Sequence, residues 1–506
     1  MQFFGSGRKI GLILLVLFSF AFAATRLTNL TKLPIFTDEA IYIRWSQIGA
    51  QDANWRFISL TDGKQPMFTW VTMVLLRLAP EDPLFAGRLT SVLAGLGSMI
   101  GLWFLSYELF KSRKVSAAVV FLYIISPFTL WYDRMAIYDS MVAMFSIWNL
   151  YLAVLLVRNI RLDIALLFGM TLGLGMLNKS SGFLSLYLLP LTLFLFDWTS
   201  PKRFSRLIKW FGLVVIATVI SQLFYSVLRL SPFFYIVGQK DNVFIFSPRE
   251  WLAQPFRFFA GNLRGMSDWV RGYMTLPLFI AAFIPLFFRW PKWKERLLLY
   301  GWGIAPLVLL ANFGKVLYPR FILFMTIPLF ILAAESSVYI LGKIKKPIVW
   351  LVVALVLVIP SIYTSYMIIR DPLNAPLPIS DRSQYIDDWP SGWGVPEITS
   401  YLRAQAIQGK IAVYTEGTFG LFPYALEINL VKNPNIHIVG IWPLPKEFPS
   451  EILESAKHVP TYFVSNQSQD ISSAWPLELI GKYQKGKRVD RFMRFFKVVV
   501  PKQASL

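Results

Sequence analysis

Residues 115–157 read VSAAVVFLYIISPFTLWYDRMAIYDSMVAMFSIWNLYLAVLLV. Two apolar runs, 115–131 and 138–157, flank the polar turn WYDRMAIYD. Bases stand just outside both ends: Lys111, Arg113 and Lys114 before, Arg158 and Arg161 after. Crossing the hydrocarbon of a bilayer takes about 20 predominantly apolar helical residues. The stretch therefore reads as a helical hairpin that enters and leaves a membrane at one basic face, with Asp133, Arg134 and Asp139 in its far turn.

Working outward, similar runs occupy 9–25, 83–107, 162–177, 181–197, 207–229, 273–289, 297–312, 321–341 and 348–369. With the hairpin they make about eleven spanning helices. Arg8 and Lys9, Lys202 to Lys209, Lys292 to Arg296, and Lys343 to Lys346 then fall on the same side as the first basic clusters. The positive-inside rule makes that side cytoplasmic. The N-terminus is then inside, and everything after about residue 371 outside. Residues 10–24 also resemble a signal peptide, with Ala-Phe-Ala-Ala at 21–24, and are read here as an uncleaved first helix. Residues 66–80 (PMFTWVTMVLLRLAP) are apolar but short, and are expected to lie along the outer surface as an interfacial helix.

Composition agrees. Of the 506 residues, 55% are hydrophobic and only 16% charged, against roughly a quarter charged in soluble domains. The net charge of +21 is accounted for by basic loops at one membrane face, so no nucleic-acid partner is implied. There is no cysteine, and the only histidines are His437 and His458. Disulfides, thiolate chemistry, and a histidine metal site or Ser-His-Asp triad in the membrane part are thereby excluded.

The fold class expected is a polytopic α-helical membrane domain over 1–370, with outer loops 26–82 and 230–272, followed by a small extracytoplasmic α/β domain over 371–506. The second part begins with the Pro-rich DPLNAPLPISDRSQ. It continues with strand signals at 411–415, 436–439, 461–464 and 495–500 and helix signals at 397–408 and 449–457. It is expected to guide acceptor choice rather than chemistry. No dinucleotide or Walker fingerprint and no repeat is present. The tripeptides at Asn29, Asn178 and Asn466 fit a glycosylation pattern too common to carry weight. In loop 230–272, Arg257, Arg264 and Arg271 recur every seven residues. They form either a solvated, headgroup-facing stripe or a clamp for an anionic lipid.

Ionisable residues at membrane depth are costly and tend to mark function. On the outer face these are Asp38 and Glu39 in TDEAIYIRW, Asp62 and Lys64 in DGKQPMF, Asp133 and Asp139, Lys179 in LNKSSG, and Arg320 in LYPRF. Each has a plainer reading. Asp38 and Glu39 suit a helix N-terminus; Lys64, Lys179 and Arg320 could anchor helix ends by snorkelling; Asp139 could pair with Arg134. Their shared face favours a site for an anionic substrate and a base.

The ordered motifs TDEAIYIRW, GKQPMFTW, DPLFAGRLTSVLAGLGSM, YDRMAIYDSMVAMF, LGLGMLNKSSGFL and LYPRFILFMTIPLFIL span about residues 30–340. Together they resemble the GT-C superfamily of membrane glycosyltransferases, in particular its protein O-mannosyltransferase and aminoarabinose-transferase branch. The resemblance implies transfer of a monosaccharide from a polyprenyl-phosphate donor to a hydroxyl of a protein, lipid or glycan acceptor, at the outer face of the cell membrane. It puts Asp38 as the catalytic base and Glu39 and Asp139 as acids that position acceptor or donor. Lys64, Arg88 and Arg320 match positions that hold the donor phosphate or shape its pocket, and Lys179 joins them as a further cation of that face. A single base with direct displacement would invert the anomeric centre. Two departures stand out: Gly63 replaces an acid and Gln65 a proline. No histidine matches the branch's metal ligand, which argues against zinc, although acids alone could hold a divalent cation. A lipid or sugar transporter would instead place its ionisable groups near the bilayer midplane, often with internal repeats. An inactive scaffold would tolerate loss of Asp38.

Overall fold

The computed structural model describes residues 6–287 and 291–500. Residues 288 and 289 of the expected span 273–289, and the last six residues of the tail, lie outside them. The chain divides into two compact units. The first comprises Met1–Asn29, Asn54–Trp70 and Arg88–Pro378; the second comprises Leu30–Ala53, Val71–Gly87 and Ile379–Leu506. A division at 371 would leave residues 30–53, with Asp38, in the membrane part; the compact units group them with the C-terminal sheet.

The first unit is helical. Among the described residues, six helices are long and apolar enough to cross a membrane: Pro83–Phe110, Asp139–Asn159, Arg203–Leu230, Trp293–Phe313, Pro319–Lys343 and Pro347–Arg370. Two further pairs qualify if each is one broken span: Arg113–Ile125 with Pro127–Asp133, bent by 60°, and Phe259–Met274 with Leu276–Leu286, bent by 110°. The first break falls at Ser126, extended before a proline that lacks an N–H. The second falls at Thr275, a β-branched residue at φ 63°. Six to eight spans thus meet the length test where about eleven were expected. Of the other three expected segments, 9–25 falls on the helix Ser6–Leu27, and 162–177 and 181–197 fall on the shorter apolar helices Leu162–Asn178 and Ser180–Leu195. Residues 66–80, expected to be helical, form the helix Met67–Leu78.

Packing follows the apolar pattern. Every residue from Leu323 to Ser337 is buried, so the helix Pro319–Lys343 runs through the centre of the unit. Arg203–Leu230 and Pro347–Arg370 instead leave Phe204, Ile208, Phe211, Leu223, Ile348 and Val352 exposed, apolar faces that suit lipid and not water. Small residues bring helices together. A Cβ on Gly169 would stand 2.7 Å from the Ala217 carbonyl, and one on Gly173 would stand 2.6 Å from Phe224 Cβ. This is the small-xxx-small approach favoured where lipid removes the hydrophobic drive.

The basic loops after Phe110, after Asn159 and before Trp293 meet at one end. Arg158 pairs with Glu108 at 2.7 Å and with Glu295 at 2.9 Å. These contacts join the ends of Pro83–Phe110 and Asp139–Asn159 to the start of Trp293–Phe313. Asp139, at the other end of its 21-residue helix, is about 30 Å away along the axis.

The second unit is built on a five-stranded sheet in the order β2-β1-β3-β5-β4, where β1 is Ile411–Glu416, β2 Ile436–Ile441, β3 Thr461–Ser465, β4 Leu477–Gln484 and β5 Phe492–Val498. β1 pairs parallel with β2 and β3, and β5 pairs antiparallel with β3 and β4. One face packs Ala412, Tyr414, Ile452, Phe463 and Trp475. The helix Thr37–Gln51 lies against Tyr424–Leu430, joined by Arg44 Nε to Glu427 at 2.6 Å and by Gln47 Nε2 to the Ile428 carbonyl at 2.8 Å. Asn178 and Asn466 are buried, which rules them out as glycan carriers in the folded chain.

Candidate functional site

In the first unit, residues distant in sequence meet around one aromatic pair. Phe244 and Phe321 lie edge to face, 5.8 Å between centroids. Lys64 Nζ stands 5.4 Å over Phe244 and Lys179 Nζ 4.6 Å over Phe321. The Arg320 guanidinium, nearly buried, stacks on Tyr318 at 4.8 Å and reaches Phe321 at 5.7 Å. Cation–π contacts of this kind hold long basic side chains over a low-dielectric platform. Three of the four expected donor-binding cations are thereby brought together. Arg88 is fully buried in the helix Pro83–Phe110, within electrostatic reach of Arg134.

The local chain explains the placement. Lys179 follows the last turn of Leu162–Asn178, and the turn after it folds straight back: a Cβ on Gly182 would stand 2.5 Å from the Gly175 carbonyl. Lys64 leaves a tight turn at Gly63, which holds φ 68° and abuts Lys240 and the Ile236 carbonyl; a Cβ there would lie 2.5 Å from Lys240 Cβ. An acid at position 63 has no room in this chain. The neighbouring Lys240 instead pairs with Asp62 at 2.6 Å. Gln65, in place of a proline, donates from Nε2 to Ser180 Oγ at 2.7 Å, which fastens the Lys64 segment to the Lys179 turn. Both departures from the family pattern thus have a local physical reason.

Asp139 opens the helix Asp139–Asn159 and pairs with Lys179 at 2.7 Å. Pairing with Arg134 does not occur. Arg134 spends its guanidinium on the carbonyls of Thr25, Arg26, Thr28 and Asn29. Asp133 is structural as well: it accepts from Arg26 Nε at 3.3 Å and from the Tyr123 hydroxyl at 3.0 Å, buried throughout.

Sequence reasoning missed Asp241, in the helix Ile236–Phe244. Burial pushes its carboxyl above the usual carboxylate range, against the pull of the Ser180 hydroxyl and the Lys64 and Lys179 ammonium groups. The test applied to the other outer acids would have found it, but loop 230–272 was read for its arginines alone. The aromatic platform was also missed, since Phe244, Tyr318 and Phe321 sit among many other aromatics.

In the second unit, Asp38 and Glu39 occupy the first turn of Thr37–Gln51. Glu39 is fully buried, and its Oε2 accepts the Phe36 N–H at 2.9 Å, which makes it a helix cap. Asp38 is half-buried. Among the described residues no three His, Cys, Asp or Glu side chains gather as metal ligands.

Residues 63–225, which include Lys64, Arg88, Asp139 and Lys179, match the family described as "Dolichyl-phosphate-mannose-protein mannosyltransferase". No curated protein matches the chain. Among solved structures, ArnT from Cupriavidus metallidurans in the apo state superimposes with a TM-score of 0.61 at 12% identity, over 98% of this chain and 99% of that one. The same protein bound to undecaprenyl phosphate gives 0.58 at 14% identity, with the same coverage. Identity at this level speaks for the fold. The chain is a multi-pass membrane protein with the fold of the GT-C superfamily of glycosyltransferases, the superfamily its motifs resemble.

Proposed function

We propose that the protein is a glycosyltransferase that moves a monosaccharide from a polyprenyl-phosphate donor to a hydroxyl acceptor at the outer membrane face. The observation that carries this reading is the gathering of Lys64, Lys179 and Arg320 around Phe244 and Phe321. That arrangement suits an anionic headgroup whose lipid tail stays apolar. Positive charge beside a leaving phosphate stabilises the charge that develops as the glycosidic bond breaks. The solved relative bound to undecaprenyl phosphate is in keeping with such a donor.

In this reading Asp38 is the base. It accepts the acceptor hydroxyl's proton as the oxygen attacks the anomeric carbon, and the bond from that carbon to the phosphate oxygen breaks with its electron pair leaving on polyprenyl phosphate. One displacement inverts the centre. Asp38 stands in the first turn of Thr37–Gln51, and Glu39, engaged as a cap, is left to shape the turn. The end of the first unit that carries Arg158 and its basic neighbours is the cytoplasmic end, by the positive-inside rule.

The test offers the purified protein, in nanodiscs, a panel of polyprenyl-phosphate sugars and of nucleotide sugars. Cleavage and transfer from a lipid-linked sugar, with none from nucleotide sugars, is the expected result. Donor movement between leaflets without cleavage would favour a flippase and overturn the proposal.

A further inference from the structure

Within the second unit, the segment 389–392 is gripped from both sides. On one side lies Lys485, between β4 and β5. Its side chain is 1% exposed. Its ammonium donates to the Trp389 carbonyl at 3.1 Å, to the Ser391 carbonyl at 3.0 Å and to Asn466 Oδ1, so all three of its protons are used. The Trp389 carbonyl also accepts from Asn466 Nδ2 at 2.8 Å. Asn466 is fixed in turn by the buried Glu416 carboxylate, which takes the N–H groups of Asn466, Gln467 and Gln469 and the hydroxyls of Ser465 and Ser468.

On the other side lies the chain that leads into Asp38. The Pro390 carbonyl, in the turn closed by the Ser391 N–H on the Asp388 carbonyl, accepts the Thr37 N–H at 2.9 Å and the Thr37 hydroxyl at 3.0 Å. The Gly392 N–H donates to the Ile35 carbonyl at 2.8 Å. Phe36 pairs with Ser391 as an isolated bridge and packs on Tyr385 at 4.3 Å. Asp38 is the next residue after Thr37.

We infer that Lys485 is a positioning residue for Asp38: through the carbonyls of Trp389 and Ser391 it holds the rail on which Thr37 is hung. The inference rests on the reading of Asp38 as the base. It gives the C-terminal part of the chain a share in the chemistry, beyond choice of acceptor. A dry ammonium is costly, and an apolar side chain of the same volume would often serve stability as well or better. Burial pushes this amine down to about 7, against the pull of Asp388 and Glu416 and with Arg491 adding to the effect. What an apolar residue could not do is turn two carbonyls inward and leave the third to face Thr37.

The experiment compares Lys485→Met with Lys482→Met, an exposed residue of β4, and Thr37→Val with Thr37→Ser. Two readouts are taken on folded chain in nanodiscs: hydrogen exchange over residues 35–41, and single-turnover transfer with donor affinity measured separately. Lys485→Met should raise exchange over 35–41 by about tenfold. It should slow transfer by roughly tenfold to a hundredfold at saturating donor, the scale of a small misplacement of a reacting group, with donor affinity unchanged. Lys482→Met should change neither. Thr37→Ser keeps the hydroxyl bond and should be near wild type, while Thr37→Val should slow transfer. Unchanged exchange in Lys485→Met overturns the proposal whatever the activity, as does a loss of rate that tracks a loss of donor affinity. If Lys485→Met does not fold, equal rates for the two Thr37 variants overturn it. Faster exchange alongside a wild-type chain that transfers nothing would instead overturn the proposed function.

Discussion

Removing Lys179 should harm the fold more than removing its partner. Their side chains are 2.7 Å apart, with Asp139 6% exposed and Lys179 27% exposed. Lys179→Met strands an ionised carboxylate in a nearly dry site. Breaking a fully buried pair costs about 3–5 kcal/mol, and the wetter lysine end lowers this to about 2–3 kcal/mol. Asp139→Asn strands an ammonium that already meets water and rests 4.6 Å over the Phe321 ring, a loss of about 1 kcal/mol. The double variant leaves no stranded charge, so the two changes should couple by roughly 1–2 kcal/mol. Thermal midpoints of the purified chains in one detergent should therefore fall in the order wild type, Asp139→Asn, double variant, Lys179→Met. Donor binding adds a second axis. On the proposed function, Lys179→Met removes a charge-assisted phosphate contact worth about 1.5–3 kcal/mol, a loss of roughly tenfold to a hundredfold in affinity. Asp139→Asn releases the cation and should hold or improve affinity. A greater loss of stability in Asp139→Asn than in Lys179→Met, or strict additivity in the double variant, would refute the reasoning.

Three further outcomes are expected. Gly63→Asp, which restores an acid before Lys64, forces a side chain into φ 68° and against Lys240; it should cost about 1–3 kcal/mol and weaken donor binding, measured by lipid titration. Asp241, its carboxyl raised by burial, contributes stability that is full below the ordinary aspartate value near 4 and lost as pH rises through its higher folded value. Asp241→Asn should therefore be the more stable chain above that window, and its affinity for a phosphodiester donor should lose the rise on acidification that wild type shows, a point checked by binding across pH. Arg26→Met leaves Asp133 without its cation in a dry site. It should lower the thermal midpoint by the equivalent of about 3–5 kcal/mol, while Arg26→Met with Asp133→Asn recovers part of it.

What the sequence disclosed follows from which physics is local. Apolar runs bounded by bases are local, and the long helices, the short apolar helix Met67–Leu78 and four of the five strands could be read directly. β4, Leu477–Gln484, escaped because it carries charge and a glycine at a register shift and lies at the sheet edge, with little apolar alternation to betray it. The expected spans 162–177 and 181–197 fall on helices of fewer than 18 residues, because apolarity alone does not fix where a helix ends. For the candidate site, Lys64, Lys179 and Arg320 stood out in the sequence by residue type. Their shared platform did not, because it depends on Phe244 and Phe321 arriving from separate helices. Glu39 illustrates the same limit: an acid pair looks catalytic twice over until the Phe36 N–H is seen to occupy one of the two carboxylates. The link from Lys485 to Thr37 runs through backbone carbonyls, which leave no trace in side-chain identity.

The central claim is that a carboxylate at position 38 drives transfer from a lipid-phosphate sugar. The measurement that meets it most directly is single-turnover transfer by the purified wild-type chain and by Asp38→Asn, with donor binding measured on the same samples. The account predicts that Asp38→Asn binds donor as wild type does and transfers about two to four orders of magnitude more slowly. Transfer by Asp38→Asn at a rate near wild type would contradict it.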